Sequence, residues 1–257
     1  MEYPGLRGRG ALVTGAASGI GLAAAQQLAA NGVSKLVLCD IDGDGLNANT
    51  ADLSVPTVRL VGDVASADYW AEVATHCADV DLYVLNAGAA KPKPIERFDY
   101  EDWRRMIGIN LDGVWLGIQT GFRAMLAKGN GGAISVTGSS AAMRTDIGMT
   151  GYGVAKAGVH HLVRIAAKEG TAARIRVNAV APGGVATPIW RKSGTFNRLV
   201  EELGSEEAAF EKLGREGTPL GKYTSSDEIA GQLLFLLSAA CSTVTGEIFL
   251  NDGGFTL

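Results

Sequence analysis

Cysteine is scarce in this chain: Cys39, Cys77 and Cys241 are its three thiols, far apart and without a Cys-x-x-Cys pair. An odd, sparse set excludes a disulfide framework and a structural zinc site. It suits the reducing cytoplasm, with thiols used as small core side chains. Histidine is equally rare. His76, His160 and His161 form no His-Glu-x-x-His array, so they read as structural or exposed and no metal is expected. Long hydrophobic runs are missing as well. The longest unbroken apolar stretch is 233–237, against the ~18 residues a membrane span needs. Excess positive charge is also absent: the net charge is −4 and the Lys and Arg residues are scattered, which argues against a nucleic-acid partner. Met1-Glu2-Tyr3-Pro4-Gly5 lacks a basic segment leading into an apolar one, so no targeting signal is read and a cytoplasmic location is expected.

What is present is a chain of 257 residues, 47% hydrophobic and 19% charged, able to bury a large core. Apolar runs at 11–14, 35–40, 57–62, 82–86, 133–137, 176–180 and 247–250 show little polar alternation, as expected of strands covered on both faces. Amphipathic stretches at about 19–31, 66–77, 99–127, 151–170 and 225–238 lie between them. Strand–helix alternation predicts an α/β fold with a mostly parallel, doubly wound sheet of seven strands and helices on both faces. No linker or repeat divides the chain, so one domain is expected over 1–257. Residues 187–217 carry no strand pattern but four glycines and two charged helical patterns. They follow a strand C-terminus, where open α/β sheets bind ligands, and are expected to form a substrate lid.

Thr14-Gly15-Ala16-Ala17-Ser18-Gly19-Ile20-Gly21 lies between the first strand and an Ala-rich helix. Glycines there let the backbone turn sharply and approach a pyrophosphate, while the helix N-terminus supplies free N–H groups. This is the position at which a Rossmann fold binds a dinucleotide. Asp40 ends the second strand, 19 residues after Gly21, where a carboxylate can accept bonds from ribose hydroxyls. A 2′-phosphate would meet a like charge there, and neither Ser18 nor Ile41 supplies a cation to hold it. NAD is the expected cofactor. The nearby Asp40-Ile41-Asp42-Gly43-Asp44-Gly45 run imitates a calcium loop, but its twelfth position is Ala51 where a bidentate Glu is needed.

Tyr152 and Lys156 stand four apart on a predicted helix and share a face. Free tyrosine is a poor base near neutrality. A lysine cation ~4 Å away at an effective dielectric of ~20 offers ~4 kcal/mol, or roughly three pKa units. That would bring the phenol towards working pH, as general acid/base catalysis of alcohol oxidation requires.

The glycine-rich turn, Asn86-Ala87-Gly88, Tyr152-Gly-Val-Ala-Lys156, the 182–187 stretch and Asn251-Asp252-Gly253-Gly254 together resemble the short-chain dehydrogenase/reductase family over essentially the whole chain. The resemblance implies NAD(H)-dependent interconversion of a secondary alcohol and a ketone by direct hydride transfer. Tyr152 would be the acid/base, Lys156 its partner and the holder of the nicotinamide ribose, and Ser139 the group that orients the substrate oxygen. Asn110 would hold a water that links the lysine to solvent. Cofactor contacts are implied for Gly15, Ser18, Gly19, Ile20 and Gly21 at the turn, for Asp40 and Ile41, and for Asp63 and Val64 at the adenine. Asn86, Ala87 and Gly88 would lie under the ribose, and Pro182, Gly183, Val185 and Thr187 along the nicotinamide. Ala141, Met143, Met149, Gly184, Trp190 and Phe196 would wall a mainly apolar substrate pocket, with Arg144 and Lys91 read as surface charges or as partners of an acidic group. Relatives of this type form homotetramers through their long helices and the last strand. Two other readings stay open. One is an NADPH-dependent carbonyl or 3-ketoacyl reductase, which Asp40 opposes. The other is a silent nucleotide-binding scaffold, which the retained Tyr and Lys oppose.

Overall fold

The computed structural model describes residues 2–257. Its strands are β1 (Gly10–Thr14), β2 (Lys35–Asp40), β3 (Thr57–Val61), β4 (Val80–Leu85), β5 (Gly132–Thr137), β6 (Ile175–Pro182) and β7 (Ile248–Asn251). They form one sheet in the order β3-β2-β1-β4-β5-β6-β7. All six pairings are parallel.

Side-chain alternation explains why these strands need cover on both faces. Ala11, Val13, Leu36, Leu38, Leu82 and Val84 point into one core with α1 (Gly19–Ala30) and α9 (Ser226–Leu237). Their neighbours Leu12, Val37, Cys39, Tyr83 and Leu85 point into the other, against α3 (Ala67–Ala74), α5 (Gly113–Lys128) and α6 (Thr150–Gly170). The three cysteines are free and buried.

The stretch expected as one helix over 99–127 is helical without interruption but irregular. α4 (Tyr100–Ile107) passes through a π turn (Gly108–Asp112) before α5 begins. A short helix, α2 (Gly43–Asn49), follows β2 where no helix was expected. Asp42 caps it by accepting from Gly45 N at 3.0 Å, so this acidic run is a helix start. Within 187–217 lie a 3-10 turn (Pro188–Lys192), α7 (Gly194–Leu203) and α8 (Glu206–Gly217).

Winding reverses between β1 and β4. The chain runs outward through β2 and β3, then returns to pair β4 with the free side of β1. The crevice at the C-terminal ends of these two strands is where such sheets receive a nucleotide.

Candidate active site

The glycine-rich turn leaves β1 into this crevice. Gly15 has φ +67°, a conformation that favours glycine. A Cβ on Gly21 would lie 2.0 Å from Gly15 O, so only glycine lets α1 start against the turn. Gly19, also at positive φ, faces the loop after β6: its Cβ would lie 3.4 Å from Thr187 Cγ2. Ser18 takes the N-cap position of α1 in extended backbone and makes no side-chain cap bond. With no side-chain cap, the first-turn N–H groups, that of Ile20 among them, are left for another acceptor, and the close-packed Gly15 and Gly21 backbone beside them fits a pyrophosphate.

Asp40 is bound to this turn. One carboxylate oxygen accepts from Ala17 N at 2.9 Å and the other from Asp42 N at 3.0 Å. Each keeps a lone pair for a further donor. Ile41 beside it is exposed. Asp63 is more committed, because its Oδ1 accepts from Ala65 N at 2.9 Å and its Oδ2 is paired with Arg105. An adenine amino group would share that carboxylate with Arg105, a cation the sequence reading did not foresee. Val64 is buried beside it, its carbonyl taken by Trp70 Nε1.

Asn86 ties three strands together. Its Nδ2 donates to Thr14 O at 3.2 Å and Gly15 O at 3.4 Å, and its Oδ1 accepts from Thr137 Oγ1 at 3.0 Å. Thr14 Oγ1 accepts from the backbone N–H groups of Asn86 and Ala87. Thr137 then offers its carbonyl to Lys156 Nζ at 2.8 Å. A continuous hydrogen-bonded chain thus joins the glycine-rich turn to the lysine. Thr14 and Thr137, its two threonines, were not singled out from the sequence.

Ser139, Tyr152 and Lys156 meet at the C-terminal end of β5. Ser139 starts the 3-10 turn Ser140–Ala142; its Oγ accepts from Ala141 N at 3.1 Å and its hydroxyl bonds the Tyr152 side chain. Tyr152 is half-buried and Lys156 almost fully so. The electrostatics differ from the expectation. Lys156 Nζ lies 5.7 Å from the Tyr152 ring centroid, and its bond goes to Thr137 O. Burial pushes the phenol up, with the Ser139 hydroxyl pulling it back, and burial holds the ammonium down to about 8. In the protein alone, desolvation outweighs the attraction reckoned from helical spacing.

Asn110 lies in the π turn and is fully buried. Its Nδ2 donates to Ala89 O at 2.8 Å and Met106 O at 3.0 Å, and its Oδ1 accepts from Ala89 N at 3.2 Å. The amide therefore braces the loop after β4, and both of its N–H groups are used. Gly88 packs against it: a Cβ there would lie 3.0 Å from Asn110 Oδ1 and 3.8 Å from Lys156 Nζ.

On the substrate side, Ala141, Met143 and Met149 line the loops before α6, with Met143 exposed. Gly184 lies under Tyr223, where a Cβ would be 2.2 Å from the ring. Trp190 is fastened by Nε1 to Val185 O at 2.9 Å, so that carbonyl is already engaged. Phe196 departs from its expected place. It is buried against Phe210, with centroids 4.7 Å apart, inside an aromatic cluster with Trp190 and Tyr223. It belongs to the interior of the 187–217 segment and not to a pocket wall. Gly183 N donates to Asn251 O, joining the end of β6 to that of β7, and Pro182, the last residue of β6, is buried. Lys91 is paired with Asp102, and Arg144 stacks over the Phe255 ring at 3.9 Å while donating to Phe255 O at 2.5 Å. Both cations are therefore engaged. His160 is buried with Nε2 towards Ser139 N, so it is not an exposed residue.

A family model described as enoyl-(acyl carrier protein) reductase matches residues 15–256, and the fold superposes on solved short-chain dehydrogenase/reductases. The chain belongs to the short-chain dehydrogenase/reductase family. It is accordingly an oxidoreductase, of a family that binds a nicotinamide cofactor. It is 34% identical to galactitol 2-dehydrogenase (L-tagatose-forming) of Cereibacter sphaeroides, covering 98% of this chain and 96% of the relative. It is 36% identical to cis-4-hydroxycyclohexanecarboxylate dehydrogenase of Sinomonas cyclohexanicum, covering 96% of each. The crystal structure of carveol dehydrogenase from Mycobacterium avium in complex with NAD superposes with a TM-score of 0.89 at 28% identity, over 97% of this chain and 98% of that one. These likenesses span both halves of the site, the glycine-rich turn and the Ser139–Tyr152–Lys156 cluster.

Proposed function

We propose that this short-chain dehydrogenase/reductase interconverts a secondary alcohol and a ketone using NAD(H). The observation that carries the reading is the meeting of Ser139, Tyr152 and Lys156 at the end of β5, joined through Thr137 and Asn86 to the glycine-rich turn. When bound, the oxidised nicotinamide supplies the hydride acceptor. Gly15, Gly19 and Gly21 with the start of α1 hold the pyrophosphate, and Thr187, beside Gly19, bonds the carboxamide in this reading. Asp40 takes the adenosine ribose hydroxyls on its two remaining lone pairs. An NADP 2′-phosphate would meet that carboxylate beside the uncharged Ile41, which opposes the alternative of an NADPH-dependent carbonyl or 3-ketoacyl reductase.

Ser139 turns its hydroxyl proton from Tyr152 to the substrate oxygen, and Tyr152 Oη takes the proton that oxygen releases. Lys156 holds the nicotinamide ribose and stabilises the phenolate. With Asn110's amide fully used on Ala89 and Met106, its part in the relay is to hold the loop over Lys156. Because Lys91 and Arg144 are engaged elsewhere, the pocket beside Ala141, Met143, Met149, Gly184 and Trp190 suits a neutral alcohol of medium size, cyclic or aromatic. Among the described residues no helix is long and apolar enough to cross a membrane. Exposed Trp115, Val154 and Ile165 on α5 and α6, with Phe249 on β7, support a homotetramer, and a cytoplasmic location accords with the free cysteines.

The test is kcat/KM for NAD and for NADP across galactitol, cyclohexanol, cis-4-hydroxycyclohexanecarboxylate and 1-phenylethanol, read by formation of reduced cofactor. NAD-dependent turnover of a neutral alcohol is expected. A preference for NADP would overturn the cofactor assignment, and full turnover by Tyr152→Phe would overturn the mechanism.

A further inference from the structure

α6 presents Tyr152, Lys156 and His160 at successive steps of four, one face turned to the end of β5. Lys156 engages Thr137 O, and His160 Nε2 lies 3.4 Å from Ser139 N. Regular pairing of β5 with β6 ends at Thr137 opposite Val180, after which Gly138 N still reaches Val180 O at 2.7 Å. Ser139, in extended backbone at φ −169°, is the first residue whose N–H has no strand carbonyl to meet. It is buried, so water does not take the place of a partner.

We infer that His160 is a positioning residue of the reaction: its Nε2 lone pair receives the Ser139 N–H and so fixes the serine whose hydroxyl meets the substrate oxygen. The serine is then held at two atoms, N–H by His160 and Oγ by Ala141 N. Both constraints aim its hydroxyl proton. The sequence makes room for this contact, because a Cβ on Gly138 would lie 2.5 Å from His160 Nε2. Gly138 is thus required by the imidazole beside it. The ring must be neutral to accept there, with its proton on Nδ1. Burial, helped by the Lys156 and Arg164 charges on the same helix, holds it down to about 4, which keeps it neutral at working pH.

The inference rests on the proposed role of Ser139, and its test separates the two. The variants are H160L, H160Q, S139A and the H160L/S139A double, assayed with NAD and the fastest alcohol of the panel above. NADH affinity is read by fluorescence and folding by Tm. H160L is expected to lower kcat about tenfold at unchanged NADH affinity, since a buried donor loses its acceptor. H160Q, whose amide oxygen stands near the place of Nε2 and can accept, is expected to recover most of that loss. Added to S139A, H160L should cost little. In parallel, 15N NMR of the folded wild-type imidazole is expected to show Nε2 unprotonated, a readout that needs no turnover and decides the matter if H160L does not fold. Undiminished kcat in H160L, losses that multiply independently with S139A, or a proton on Nε2 would each overturn the inference. Impaired S139A beside intact H160L would remove it alone, leaving the function standing. Full activity in S139A would remove the role of Ser139 and this inference with it.

Discussion

Replacing Lys156 with Met is expected to make the protein more stable and nearly inactive. The ammonium is 2% exposed, and burial holds it down to about 8 against 10.5 for a free lysine. Two and a half decades at ~1.36 kcal/mol each amount to roughly 3 kcal/mol spent on keeping a cation inside. Met removes that cost but orphans Thr137 O, worth about 1 kcal/mol, so the net gain at pH 7 is roughly 2 kcal/mol. For a chain of this size that is about 5 °C in Tm. The sign with pH follows from which state binds the proton. Below about 8 both folded and unfolded chains carry it, and the folded state bears the full cost. Between about 8 and 10.5 the folded chain has released it while the unfolded chain still holds it, so wild-type stability from this group rises with pH and the advantage of the variant fades. Guanidinium unfolding of cofactor-free protein at pH 7 and pH 10 reads this directly: a gain at pH 7 that falls close to zero at pH 10. A variant no more stable at pH 7, or equally more stable at both, would refute the reasoning. Turnover should fall at least about 100-fold, the ordinary worth of a group that sets up proton transfer.

Gly21→Ala drives a methyl into Gly15 O and should abolish NADH binding, measured by fluorescence titration, even where the fold survives; binding within about twofold of wild type would contradict the cradle. Asp40→Ala should lower kcat/KM for NAD at least about tenfold, by loss of two charge-assisted bonds to the ribose, and narrow the gap to NADP. Deleting 255–257 frees Arg144 from its stacking and carbonyl partners, and should raise KM for the alcohol a fewfold while KM for NAD stays put.

Much of the fold was legible because each strand run obeys one local rule: Val, Ile and Leu on both faces, bounded by turn residues. The glycine-rich turn was legible for the same reason, since positive φ at Gly15 and the close approach at Gly21 can be met by one residue type. α2 escaped notice because Gly43, Gly45 and Asn49 are poor helix formers. It stands on the Asp42 cap and on Asn49 Nδ2 bonded to Ala17 O at 2.9 Å, a contact across 32 residues. Distance along the chain also hid the bracket at Asn86, whose partners Thr14 and Thr137 lie 72 and 51 residues away. Tyr152 and Lys156 were found by their spacing, but spacing gives a face and not a separation. The attraction assumed between them ignored the desolvation of both. Phe196 was misplaced because an aromatic side chain in an insertion serves equally to wall a pocket or to hold the insertion together, and four rings packed on one another decide for the latter.

The π turn at Gly108–Asp112 sets a limit on how this chain can vary in length. One residue occupies about 100° of an α-helix, so deleting a single residue there would restore a regular helix and swing everything before the deletion around the axis relative to α5. Asn110 would leave Ala89, and the loop over Lys156 would lose its brace. The better-formed helix would belong to the poorer enzyme. Residues 108–112 should therefore tolerate changes of side chain at the half-buried Leu111 and Asp112 far better than any change in their number.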